Sequence, residues 1–119
     1  MSSKHTPGPW THSKGERHDF FYIDSPDGDV VYVTGSLQPD HVEANARLIA
    51  AAPELLEALT KKVQDAEQRM FEDWLEFNSP SGDHEAIQRQ WLESNDYRGF
   101  IGEWREQLDA IAKATGGAQ

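Results

Sequence analysis

A chain of 119 residues with no cysteine and a formal charge of -10 has room for one modest core, forms no disulfide or cysteine-bound zinc, and offers no thiol nucleophile. Hydrophobic residues at 37% and charged residues at 27% suit a water-soluble fold, and no apolar run approaches the roughly 20 residues of a spanning helix. The polar, proline-broken start from Met1 to Pro9 is unlike a signal peptide, so a cytoplasmic protein is expected.

The first part reads as β-structure. Trp10-Thr-His-Ser is a short candidate strand, Lys14-Gly-Glu-Arg a polar turn, and Phe20 to Ser25 an aromatic strand that ends at Pro26. Asp27-Gly28 tolerates positive φ, and Val30-Val-Tyr-Val-Thr resumes with β-branched residues, which is a hairpin signal. So small a sheet is marginal alone, so a helix must cover one face, either Phe21 with Ile23 or Phe20 with Tyr22.

Everything after Pro39 reads as helix. Asp40 with Glu43 resembles a capping box, and Val42, Leu48, Ile49 and Ala52 form the apolar positions before Pro53, where a break or fresh start is expected. From there Leu56, Leu59, Val63, Ala66, Met70 and Phe77 keep coiled-coil spacing, so the longest helix is predicted over 53–77. Asn78-Ser-Pro-Ser-Gly-Asp ends it, and Ser81 or Asp83 can cap a short helix that carries Ile87 and Trp91 and is interrupted near Ser94-Asn-Asp. Tyr97, Phe100, Ile101, Trp104, Leu108, Ile111 and Ala114 then follow one stripe to Gly116-Gly117. The fold class expected is α+β: an N-terminal β-hairpin or small antiparallel sheet packed on helix, followed by a long helical hairpin. One domain spans 1–119, with 5–60 as the β-hairpin and helix scaffold and 61–119 as the helical hairpin.

The residues give no catalytic constellation. His41 with Glu43 and His84 with Glu85 diverge on their helices; His12 and His18-Asp19 meet only across a hairpin and lack a third ligand, so no metal and no cofactor is expected. Phosphate-binding glycine loops and nucleophile elbows are missing, and Glu72-Asp73 sits on a solvated helix where nothing raises a pKa. The expectation is a protein that is not an enzyme.

The sharper signal is charge. Residues 39–119 carry sixteen acidic and eight basic groups, a field that repels phosphate backbones and favours either solubility or a basic partner over direct nucleic-acid binding. Glu57 precedes Lys61 and Asp65 precedes Arg69 at supportive spacing, but Glu72, Asp73, Glu76, Asp83 and Glu85 have no basic residue among them. These five acids predict an acidic knob at the hairpin tip. Trp74 beside them reads either as an exposed aromatic anchor for a partner or as a residue packed on the neighbouring helix.

Two stretches, Thr6-Pro-Gly-Pro-Trp10 and Glu43-Ala-Asn-Ala-Arg-Leu-Ile-Ala-Ala-Ala-Pro-Glu-Leu-Leu-Glu-Ala-Leu59, resemble a pattern of small phage and prophage proteins without an agreed function. The resemblance covers about residues 5–60 and implies a shared scaffold, with the specific task left to the second half. Within it, Pro7, Pro9 and Trp10 read as a stiff arm whose indole packs on the Ala44–Ala52 face, and Asn45 and Arg47 as polar groups fixing the helix. The reading that follows is a phage or prophage accessory protein in the host cytoplasm. It would bind and inhibit a host protein or complex with a basic surface, as an anti-CRISPR-like inhibitor of a nucleic-acid-handling defence complex does. Its contact residues would be Glu72, Asp73, Trp74, Glu76, Asp83 and Glu85. The alternative is a structural or assembly protein that self-associates, as a homodimer, through its amphipathic helices.

Overall fold

A polar first strand and two strands rich in aromatic and β-branched residues form a three-stranded antiparallel meander: β1 (Thr11–Lys14), β2 (Phe21–Asp24) and β3 (Val30–Val33), in the order β1-β2-β3. The structure is a computed structural model that describes residues 5–15, 20–28, 30–33 and 39–117; His18 and Asp19 lie outside these. Phe21 stands opposite Lys14 and Val33, and Ile23 opposite His12 and Val31. Because strand side chains alternate, Phe21 and Ile23 share a face, and this is the face that is buried. Phe20 and Tyr22 make an edge-to-face ring pair at 5.3 Å instead. The turn between β2 and β3 closes with the Gly28 amide donating to the Ser25 carbonyl at 3.0 Å. Gly28 has φ +89°, which explains the Asp27-Gly28 signal.

Helix α1 runs from Pro39 to Asn78, and helices α2 (His84–Glu93), α3 (Asn95–Glu103) and α4 (Arg105–Thr115) follow. The class is α+β, as expected. The chain forms two compact units, residues 1–58 and 59–119, and each takes part of α1.

In the first unit, Phe21, Val42 and Ala46 form the core, with Val33 packed against it. The buried positions of the helix step by four through Val42, Ala46 and Ala50, whereas Leu48 is 62% exposed and Ala52 is also exposed. The alanines are used because the Phe21 ring fills the space between sheet and helix, so small side chains are what fit. Pro39 supplies the first helical residue, where its missing N–H is harmless. Asp40 is therefore inside the helix and not its cap; its side chain lies outside the described residues. Glu43, expected to complete a capping box, accepts instead from the Arg47 guanidinium at 3.0 Å, and Asn45 and Arg47 are both exposed. The arm docks differently from the expectation. The Trp10 indole donates to the Thr6 carbonyl at 3.1 Å and, with Ile23 and Val31, lines a cavity of about 270 Å³ at the sheet. It is Gly8 that reaches the helix, where an added β-carbon would stand 3.1 Å from the Pro53 Cβ.

Pro53 does not break the helix, contrary to the sequence reading. An interior proline removes one backbone hydrogen bond, at a cost of about 3 kcal/mol. Flanking alanines of high helix propensity and the packing of Val42, Ala46 and Ala50 hold the helix through it.

In the second unit the apolar face of α1 follows the straight-helix period of 3.6, not the heptad. Val63 and Trp74 are buried, at 4% and 6% exposure, and Phe77 is 89% exposed. Eleven residues make about three full turns, so Trp74 falls under Val63. The helix ends with the Asn78 side chain donating to the Trp74 carbonyl at 2.9 Å and Ser79 at φ +41°, followed by Pro80. Asp83 caps α2 by accepting from the Ala86 amide at 2.9 Å. The expected interruption falls at Ser94, and a second one at Trp104 divides the stripe that the sequence presents as continuous. Trp104 leaves helical geometry at φ -104°, ψ 20°, yet its amide still reaches the Phe100 carbonyl and its carbonyl accepts from Leu108. The ladder bridges the break, so the apolar spacing survives it.

Candidate functional site

Aromatic side chains organise the second unit. Phe71 lies 5.4 Å and Trp74 5.6 Å from the Trp91 ring, which continues to Tyr97 at 5.4 Å; Phe100 and Trp104 extend the series. Trp91 and Phe100 are each 1% exposed. Trp74 belongs to this core, so of the two readings of its indole the packed one holds, and it is not an exposed anchor.

Its burial fixes the direction of its neighbours. Glu72, Asp73 and Glu76 project from the last turns of α1 into solvent, and Asp83 and Glu85 are exposed at the start of α2. Three of the five already have local work. Asp83 holds the α2 cap, and Glu85 lies in the first turn of α2, where the helix dipole favours a carboxylate. Glu72 accepts from the Gln68 amide at 3.2 Å. No lysine or arginine occurs between Arg69 and Arg89, so the negative charge of this stretch goes uncompensated along the chain. Further back, Lys61 pairs with Asp65 at 2.7 Å, forward along the helix and not backward to Glu57 as its spacing suggested.

The residue that sequence reasoning missed is Phe77. The coiled-coil spacing places it in the apolar seam, but it stands in the open one turn beyond Asp73 and next to Glu76. Helical period carries no warning of this: Phe77 lies about five full turns from the half-buried Leu59, and its exposure belongs to its place in the last turn of α1.

Beside the aromatic core lies a cavity of about 460 Å³ lined by Gln64, Glu67, Gln68, His84 and Gln88, with Phe71 and Trp91 as its apolar wall. Its polar groups are mostly carboxamides, which donate and accept hydrogen bonds without carrying charge. Among the described residues, no three His, Asp or Glu side chains are grouped to hold a metal ion, and no helix is long and apolar enough to cross a membrane.

The chain belongs to the family of Salmonella phage P22 protein Y8K6, whose model matches residues 1–118. The Y8K6 match runs on through the second unit, beyond the two motifs of residues 5–60, so the helical half is family structure as well. No curated protein and no solved structure matches the chain.

Proposed function

We propose that this phage-family member is an accessory protein that binds a host protein with a basic surface and occupies it, in the manner of an anti-CRISPR inhibitor of a nucleic-acid-handling complex. The observation that carries the reading is Phe77, 89% exposed among the carboxylates of Asp73 and Glu76. Burying such a ring against a partner contributes about 1.5–3 kcal/mol, which folding of this chain leaves unused. Aromatic side chains serve as interface anchors, and a surrounding field of one sign selects a partner of the other. Carboxylates can stand where a phosphate backbone would, competing for the same lysines and arginines. The reading needs no catalytic group, and the acidic tip discourages direct contact with nucleic acid.

The test is competition. A host partner isolated on the tagged protein is offered a nucleic acid that it handles. Displacement of one by the other supports the reading, and a stable ternary complex of partner, nucleic acid and this protein counts against it.

A further inference from the structure

Helix α1 carries a second apolar face in the first unit. Ala44, Leu48, Ala51, Leu55 and Ala58 follow one another at alternating four- and three-residue steps, and all five are exposed, Leu48 at 62% and Leu55 at 54%. This stripe lies opposite the buried one: Ala51 is nine residues from Val42, which at 3.6 residues per turn is half a turn out of phase. The sheet covers the Val42–Ala46 side. A helix with apolar stripes on two sides is built for two neighbours, and the step pattern is that of a helix-to-helix seam.

We propose that the stripe pairs antiparallel with the same stripe of a second copy of this chain. The pattern is self-complementary in that direction. About a two-fold axis between Ile49 and Ala50, Leu48 of one copy lies over Ala51 of the other and Leu55 over Ala44, so each large side chain meets a small one and the helices approach evenly. A parallel pairing sets Leu48 on Leu48 and Ala51 on Ala51, alternating crowding with gaps. Charge points the same way. Arg47 and Glu54 lie along one edge of the stripe, both exposed, and the antiparallel axis brings Arg47 of each copy beside Glu54 of the other. Parallel pairing sets them against Ala52 and Leu59. Arg47 already holds Glu43 at 3.0 Å, and a guanidinium has donors enough to bridge both carboxylates. This face lies on the first unit, and its argument uses nothing of the acidic tip.

Sedimentation equilibrium of the full chain over a concentration series tests the pairing. The expected result is reversible association from the 13.4 kDa chain to twice that mass. The L48E/L55E variant should remain monomeric with unchanged circular dichroism and melting, because both leucines are exposed within the chain. R47E and E54R should each weaken association by about tenfold, since symmetry removes two ion pairs at once, and R47E/E54R together should restore it. A wild-type chain that is monomeric at every concentration overturns the proposal, as does a dimer that survives L48E/L55E. A double charge swap no tighter than the single ones rules out the antiparallel axis.

Discussion

The indoles of Trp74 and Trp91 lie 5.6 Å apart and tilted by 56°, and this contact, with Phe71 beside it, joins the end of α1 to α2. Trp91 is the most enclosed of the set at 1% exposure. Trp91→Ala is therefore expected to destabilise by about 4 kcal/mol in denaturant unfolding, the cost of a large cavity in a core. Trp91→Phe should recover a substantial part of it. A loss below about 1 kcal/mol for the alanine variant would show that the aromatic series is surface decoration.

Ser94 serves two helices. Its hydroxyl donates to the Trp91 carbonyl at 2.6 Å and accepts from the Tyr97 amide at 3.1 Å, closing α2 and opening α3. Ser94→Ala should cost about 1 kcal/mol, with Ser94→Asp or Ser94→Thr keeping most of the cap. Thermal melts of the three variants give the comparison; equal melting of all three removes the capping role.

Reversing Glu72, Asp73 and Glu76 to Lys alters exposed side chains only, so folding should change by less than about 1 kcal/mol. Affinity for a basic host partner should fall, chiefly through slower association, and wild-type binding should weaken as salt is added. Phe77→Ala should raise the dissociation rate instead, because it removes an anchor and no charge. Asp83→Asn is the useful companion, since it deletes a charge and keeps the cap on Ala86. Stopped-flow binding that is indifferent to all of these changes would move the working surface away from the tip.

The hydrogen bond from the Lys61 ammonium, with its charge, holds the Asp65 carboxyl below the usual carboxylate range, and the same contact raises Lys61. For Asp65 the folded value lies below the unfolded one. Its contribution to stability is thus present above the ordinary carboxylate range and lost as pH falls through the lowered value. For Lys61, raised in the folded state, the contribution is lost as pH rises through the raised value. Both groups are fully exposed, so the effect on stability is small and screened. An NMR titration of Asp65 should move toward the ordinary carboxylate value in Lys61→Met; an unmoved midpoint refutes the pairing in solution.

Much of this fold can be read from local chemistry. The hairpin follows from Asp27-Gly28 and its flanking strands, and the α2 cap from Asp83. What could not be read is where two signals conflict. Pro53 predicts a break by its own chemistry, and only the helix propensity of the alanines before it, with the burial of Val42, Ala46 and Ala50 on the same helix, explains why the helix continues. The choice between Phe21–Ile23 and Phe20–Tyr22 required knowing which side the helix takes. Trp104 hides its break because the Phe100–Trp104–Leu108 spacing is unchanged across it. At the candidate site the charges were legible and the aromatics were not: the spacing puts Phe77 inside and leaves Trp74 open to either reading, and only the packing on Trp91 and the end of α1 decide that Trp74 is buried and Phe77 exposed.

The placement of the four tryptophans also makes the chain its own optical probe. Trp10 lies in the first unit, and Trp74, Trp91 and Trp104 in the second. The near contact of Trp74 with Trp91 lets their electronic transitions couple, so the second unit should carry a circular dichroism band in the aromatic region that vanishes once those rings separate. Emission from a Trp10→Phe chain then reports the helical unit alone. Wild-type emission adds Trp10 from the first unit, so a wild-type melt that departs from that of the Trp10→Phe chain marks units that let go in turn, and coincident melts mark a single step.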